Sequence, residues 1–242
     1  MRGLLLVALL VGAASPALAQ ARERGYIAVN GGVLSPSGTF TDRFTHAVNA
    51  EVATTESRYP SKSGVLFDGG AGFQLRKHLG FGLHVSHSSV SGGAQTDSQI
   101  PHPLFDDRDR QVAGDADDLS RTETAVHLLL YYSRASGPWR IRLGAGPSFF
   151  RAEQEVVTGI QLNEEYPYDT ATFRGVDTAR GTESAIGFNV GGDVSRMLTR
   201  RIAAGILVRF ARANIDFNVD RSHRVSTNAG GLQAGAGLRF SF

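Results

Sequence analysis

The sequence of 242 residues contains no cysteine, so disulfide bonds are excluded as a source of stability. Lysine is scarce, tryptophan occurs once, and the formal net charge is only +2. This balance gives no electrostatic argument for nucleic-acid binding, and no nucleic-acid partner is expected. After the first twenty residues, no stretch is apolar enough over ~20 residues to form a membrane-spanning helix. Stability must therefore come from a packed core or a sheet.

The N-terminal segment has the pattern of a secretory signal peptide. Arg2 precedes an apolar run over Leu4–Ala14, and Ala17 and Ala19 supply small residues at a cleavage site. The apolar run is shorter than the ~20 residues that a spanning helix needs. We therefore predict a signal peptide over residues 1–19 and one exported domain over residues 20–242.

Polar and apolar residues alternate with a period of two in eight stretches of the chain. In the last of them, Phe242, Phe240 and Leu238 alternate with Ser241 and Arg239. Such alternation predicts a strand whose two faces meet different surroundings. The eight stretches are GYIAVNGGVL, GVLFDGGAGFQL, GFGLHVSH, TETAVHLLLYY, WRIRLGAGPSFF, AIGFNVGGDV, IAAGILVRF and AGGLQAGAGLRFSF.

The connections between these stretches alternate in length. Long polar segments cover about 35–62, 89–120, 151–182 and 213–228, whereas RKH, SRASGP and SRMLTRR are short. This segregation is typical of outer-membrane barrels, which have short periplasmic turns and long extracellular loops. We therefore predict an all-β fold, an eight-stranded antiparallel up-and-down transmembrane β-barrel with four long extracellular loops. A secreted soluble β-sandwich is the alternative, and neither the loop lengths nor the apolar outer faces favour it.

Aromatic residues cluster at the strand ends, which suits the interfacial girdles of a membrane barrel. The residues assigned to these girdles are Tyr26, Tyr131, Tyr132, Trp139, Phe149, Phe150, Phe240 and Phe242.

From GYIAVNGG to GLRFSF, the sequence resembles the small outer-membrane β-barrel proteins of Gram-negative bacteria, the OmpA/OmpX-like family, as a barrel-only member. Its most specific element is the last strand, in which Phe240 and Phe242 end an alternating pattern. The resemblance implies that this strand is a signal for the outer-membrane assembly machinery. It also implies a location in the cell outer membrane, contact with outer-membrane lipid and lipopolysaccharide, and a monomer.

Charged residues recur on the predicted inward faces, where each ion needs a partner. We predict a structural polar network in the barrel interior. Its members are Asp68, His84, Glu123, His127, Arg140, Arg142, Asp193, Arg209 and Arg239. A cross-strand Arg140–Asp193 pair is expected near the periplasmic mouth. A second layer is expected at mid-height from Asp68, His84, His127 and Arg209.

The pattern favours a structural or surface-interaction role, such as envelope integrity, adhesion or ligand contact through the loops. Interior glycines leave a small-solute channel open as an alternative, although eight strands enclose little more than side chains. A lipid A deacylase-like hydrolase built on His84, Ser86 and Glu123 is the less favoured alternative. The acidic segment 105–118 is interpreted as a solvated loop, with calcium binding left open. No catalytic residue, cofactor or metal ligand is assigned.

Overall fold

The computed structural model describes residues 24–36, 38–218 and 224–242. The predicted signal peptide over 1–19 lies outside these residues. In the described ranges, no helix is long and apolar enough to cross a membrane. The strands are β1 (Gly25–Pro36), β2 (Phe40–Val48), β3 (Glu51–Tyr59), β4 (Gly64–Gln74), β5 (Leu79–Pro101), β6 (Asp109–Ser136), β7 (Trp139–Glu164), β8 (Ala171–Met197), β9 (Ile202–Asn218) and β10 (Arg224–Ser241).

Eight of these strands close into a ring in the order β5-β4-β1-β10-β9-β8-β7-β6, with β6 pairing back onto β5. Every pairing in the ring is antiparallel. The first and last strands also pair, because β1 lies next to β10, with Tyr26 opposite Ser241. This confirms the predicted eight-stranded up-and-down barrel.

A belt of apolar side chains surrounds the barrel on the outside. On β10, Leu232, Leu238 and Phe240 are exposed, whereas Gln233 and Arg239 are buried in the lumen. A soluble protein would bury such a continuous apolar surface, whereas lipid provides apolar surroundings for it. The predicted assignment of the two faces is therefore correct, and the belt marks the membrane-spanning part.

We name the two ends of the molecule by their structure. The turn end carries the short connections at residues 75–78, 137–138 and 198–201. The extension is the part of the strands that continues beyond the apolar belt at the opposite end.

The segments predicted as long polar loops are largely β-structure. In segment 35–62, β2 and β3 form a hairpin, and Thr54–Arg58 of β3 pairs with Gln95–Gln99 of β5. The other three segments prolong the barrel strands on both sides of each connection. Their period-two pattern is weak in the sequence because Thr, Ser and Ala occupy many of the inward positions.

Inside the extension, the chemistry of the two faces is exchanged. On β9, Arg209 points inward and Phe210 outward, but the following inward residues are Ala211, Ala213, Ile215 and Phe217. These four belong to an apolar cluster with Phe150 and Val225. A second cluster contains Phe44, Tyr59, Leu119, Val156 and Val157. The extension is therefore packed like a water-soluble domain.

Three of the aromatic residues assigned to the girdles point into the barrel instead. Tyr26, Tyr131 and Phe150 are buried, whereas Tyr132 and Trp139 are exposed. The girdle prediction is therefore wrong for these three residues. Position near a strand end does not decide the face, because each strand alternates up to its last residue.

Two glycines give the inward aromatic rings their space. A methyl group added to Gly70 would overlap the His84 ring, and one added to Gly72 would overlap the Tyr26 ring. These interior glycines thus make room for side chains that fill the lumen, and they do not widen a pore.

We expect the Gly70→Ala substitution to lower the unfolding free energy by about 1–3 kcal/mol, the usual cost of overpacking. Gly69→Ala is the matched control, because the nearest atom to its added methyl group is a carbonyl oxygen at 3.9 Å. Urea unfolding of both variants in lipid vesicles measures the difference. Equal stability of the two variants would show that the His84 ring is not fixed in place.

Candidate functional site

Near the turn end, Asp193 of β8 joins two arginines from different strands. The Arg142 Nη1 atom lies 3.1 Å from Asp193 Oδ1, and Arg239 Nε donates to Asp193 Oδ2 at 3.0 Å. The Arg142 guanidinium also lies 4.1 Å from the centre of the Tyr26 ring, in cation–π geometry. One carboxylate therefore ties β7, β8 and β10 together across the lumen.

In the strand register, the residue directly opposite Asp193 is not the predicted Arg140. Asp193 lies opposite Arg142, and Arg140 lies opposite Ser195. The prediction counted residues from the turns, but the stagger between neighbouring strands is set by the shear of the closed barrel. Arg140 is itself buried in the lumen, as expected for an inward position.

At mid-height, Asp68 is the centre of a dense cluster. Its carboxylate lies 2.8 Å from Arg209 Nη2 and 3.1 Å from His84 Nδ1, and it accepts a hydrogen bond from Asn30 at 2.9 Å. The Tyr26 hydroxyl lies 3.3 Å from His84 Nε2. The Asp68 and Arg209 side chains are both completely buried. Two ions at this depth are stable only because their opposite charges form a hydrogen-bonded pair.

The next layer is centred on His127. Its Nε2 atom lies 2.9 Å from Ser86 Oγ, and its Nδ1 atom lies 2.8 Å from Ser148 Oγ. Asn189 donates to Ser148 Oγ at 2.8 Å and so links β8 to the same chain of contacts. His127 is thus hydrogen-bonded on both ring nitrogens.

The uppermost layer closes the lumen below the extension. Arg121 Nε donates to Glu123 Oε1 at 2.8 Å, and the other Glu123 oxygen accepts the Gly230 amide at 2.8 Å. Arg121 also donates to Gln154 Oε1 at 2.7 Å. The layer therefore joins β6, β7 and β10.

Of the nine residues predicted for the interior network, eight are buried and Asp193 is partly exposed. The structure brings Asp68, His84 and Arg209 into direct contact, whereas His127 contacts serines. Sequence reasoning missed Tyr26, Asn30, Arg121 and the neutral partners of His127. Tyr26 and Asn30 could have been identified, because both occupy inward positions of the alternating pattern in β1.

The hydrolase alternative required His84, Ser86 and Glu123 to act together. Ser86 contacts His127, while His84 contacts Asp68 and Glu123 contacts Arg121. The second nitrogen of His127 meets a serine hydroxyl, which cannot supply the orienting carboxylate of a catalytic triad. Ser86 is also buried in the lumen, away from substrate. This arrangement does not support nucleophilic catalysis at Ser86.

Charged residues around the acidic segment 105–118 pair with the neighbouring hairpin. Arg108 lies 3.0 Å from Asp169, and Arg110 lies 2.6 Å from Glu164. Among the residues described, no group of three or more histidines and carboxylates is arranged to hold a metal ion.

The extension carries a cleft of about 610 Å³, formed by β2, β3, β5 and β6. This volume falls within the ~300–1,000 Å³ of typical ligand pockets. Its lining residues are Arg43, Thr54, Glu56, Arg58, Gln95, Thr96, Asp97, Gln99, Gln111, Ala113, Gly114 and Asp115.

The cleft is polar and nearly balanced in charge. Gln111 donates to both oxygens of Asp97, at 3.1 and 3.0 Å, which fixes the carboxylate. Glu56 lies directly opposite Asp97 on the neighbouring strand. Like charges at facing positions are unfavourable in a sheet, and Arg58, 3.9 Å from Glu56, offsets part of this repulsion.

We expect Asp68→Ala to lower the unfolding free energy by about 3–5 kcal/mol, because Arg209 would remain buried without its carboxylate. The control is Arg180→Ala, which removes an exposed pair with Glu155 and should leave the unfolding free energy nearly unchanged. Urea unfolding in lipid vesicles measures both. A similar small loss for both variants would contradict the paired network.

No protein-family model matches the sequence, and no curated protein matches it. Among solved structures, the chain is similar to Neisserial surface protein A, with 13% identity, a TM-score of 0.47, and coverage of 90% of this chain and 97% of that one. It is similar to OprG of Pseudomonas aeruginosa, with 10% identity, a TM-score of 0.49, and coverage of 91% and 97%. It is also similar to the outer membrane protease OmpT of Escherichia coli, with 12% identity, a TM-score of 0.49, and coverage of 93% and 99%. These are outer-membrane β-barrel proteins, the class that the sequence resembles.

Proposed function

We propose that this protein is an outer-membrane barrel with a closed lumen, and that it binds a ligand at the cell surface through the cleft of its extension. The extension then faces the exterior and the turn end faces the periplasm, as in barrels with short periplasmic turns. The observation that carries the proposal is the concave polar surface on a packed, β-structured extension.

The filled lumen supports a closed barrel. Arg209 and Arg239 are almost completely buried and cross the lumen to carboxylates on other strands. Layers centred on Asp193, Asp68, His127 and Glu123 follow one another from the turn end to the extension. A solute would have to displace paired ions in three of these layers and the hydrogen-bonded His127 in the fourth, which is unfavourable.

The cleft chemistry supports a neutral, polyhydroxylated ligand such as an oligosaccharide. Three glutamine amides, Gln95, Gln99 and Gln111, offer donors and acceptors together with the nearby carboxylates. Two arginines and three acids nearly cancel in charge, so a strongly charged ligand gains little. Many hydroxyl groups of one ligand can be satisfied on such a surface at once.

The β2–β3 hairpin that forms one wall of the cleft is fixed to the barrel. The Val157 amide donates to the Tyr59 hydroxyl at 2.8 Å, and Phe40 stacks on the Tyr59 ring at 4.3 Å. Burial raises the pKa of Tyr59 to about 12, so its hydroxyl stays protonated at neutral pH. A wall held in place loses little conformational entropy on binding.

The closed lumen predicts that the purified protein produces no step-like conductance in planar lipid bilayers. Heat-modifiable migration in detergent gels confirms that the sample is folded before the recording, and boiled protein provides the blank. Discrete, reproducible conductance steps from the folded sample would favour the channel alternative.

The cleft predicts binding to neutral oligosaccharides on a glycan array, with lipopolysaccharide-derived glycans included. The Gln95→Ala/Gln99→Ala double variant should bind about tenfold more weakly, since it loses two sets of hydrogen bonds. Gln161→Ala/Asn163→Ala is the matched control, because it removes two exposed amides of β7 outside the cleft. Equal binding by both double variants, or binding confined to charged glycans, would contradict the proposed ligand class.

A further inference from the structure

The short connections at the turn end are rich in basic side chains. The segments 75–79, 133–138 and 196–202 contain no Asp or Glu. Their cations are Arg76, Lys77, Arg134, Arg196, Arg200 and Arg201. They lie in the three turns that connect β4 to β5, β6 to β7 and β8 to β9 or in the strand ends next to them, so they are distributed around the barrel.

Aromatic contacts fix the depth of this positive charge. The Arg196 guanidinium lies 5.8 Å from the centre of the Trp139 ring, and the His78 ring lies 5.5 Å from that of Tyr132. Trp139 and Tyr132 are exposed on the outer surface, where such residues mark the membrane interface. Arg196 and the connection that carries His78 therefore lie at the level of the lipid headgroups.

Two of the arginines flank the single tryptophan on the lipid-facing side. On β7, Trp139 lies opposite Arg196 of β8, and Ile141 lies opposite Arg134 of β6. Both arginines continue the outward positions of Tyr132 and Val194. Since neighbouring strands are about 4.8 Å apart, β6 and β8 lie about 10 Å apart across β7. A guanidinium group suits the oxygens of a phosphate better than an ammonium group does.

We propose that Arg134, Trp139 and Arg196 form a binding site for the phosphate headgroup of an anionic phospholipid, within a cationic ring at the turn end. The acyl chains would lie along the apolar belt above, next to Ile141 and Leu143. The proposal rests on the proposed membrane placement but not on the ligand of the cleft. The carboxylates of cell-wall peptides are less suited to this site, because the two arginines face lipid beside the Trp139 ring at the membrane interface.

The sole tryptophan provides a direct probe of this site. The full-length folded protein is reconstituted in vesicles of phosphatidylcholine containing brominated phosphatidylglycerol or, at the same mole fraction, brominated phosphatidylcholine. We expect Trp139 fluorescence to be quenched more strongly by the anionic lipid, with a preference of about fivefold for each contributing arginine. The preference should fall as salt is raised, because these charges are exposed to screening.

The Arg134→Gln/Arg196→Gln variant should lose most of the preference, and Arg134→Lys/Arg196→Lys should retain part of it. Because each variant is compared with itself in two lipids, a change in intrinsic Trp139 emission cancels. Arg174→Gln/Arg180→Gln, in the exposed part of the extension, is the matched control and should keep the full preference. Heat-modifiable migration shows that each variant has folded.

Equal quenching by the two lipids in the parent protein would overturn the proposal. So would a preference that survives in the Arg134→Gln/Arg196→Gln variant. Sedimentation with purified peptidoglycan tests the other polyanion, and retention that depends on these arginines without any lipid preference would assign the site to the cell wall. These results are independent of glycan binding, so failure of the cleft and failure of the lipid site can be told apart.

Discussion

The structure depends first on the absence of water from the membrane. A backbone amide or carbonyl facing lipid has no solvent partner, so every strand within the belt must pair on both sides. The pairing of β1 with both β4 and β10 meets this requirement for the first and last strands, and the pairing of β5 with β6 completes the ring. The strands β2 and β3 lie in the extension, where water can satisfy the edge that β2 leaves open.

A second consequence is that the period-two alternation of a single strand faces lipid in the belt and water in the extension. On β9, the outward residues change from Ile206, Val208 and Phe210 to Arg212, while the inward residues change from Arg209 to Ala211. The strand continues without a break, yet its apolar side moves from outside to inside. The span from Ile202 to Phe210 matches the ~9–11 residues that a tilted strand needs to cross a membrane. The exchange of faces therefore marks where the membrane ends and the packed extension begins.

This exchange explains which parts of the structure could be predicted. Within the belt, the contrast between Val or Leu outside and Gly or Arg inside made the eight strands readable. In the extension, Thr55, Ser57, Thr96 and Ser98 face inward, and their polarity hides the strand pattern. The cleft that β3 and β5 form there could not be predicted either. It depends on a pairing between segments that are distant in the sequence.

The polar lumen also separates what alternation specifies from what it does not. Alternation predicted that Asp193 and the arginines point inward, but which arginine it meets depends on the stagger of the closed sheet. For the aromatic residues, the alternation predicted whether a side chain points inward or outward better than its position near a strand end did. The alternation itself put Tyr26 on the side of Asn30, and both residues contact the Asp68–His84 pair.

The buried ions have a role that an apolar filling could not take over. Lipid and an apolar lumen would be nearly equivalent surroundings, so a strand that slipped by one residue would lose little. With Asp68 and Arg209 inside, the same slip would move charged groups into lipid, at a cost of several kcal/mol. The paired ions therefore specify the register of β4 against β9 through β1 and β10, in addition to closing the lumen. A barrel whose register is fixed in this way keeps β5 and β6 in place, and with them the cleft that they hold above the membrane.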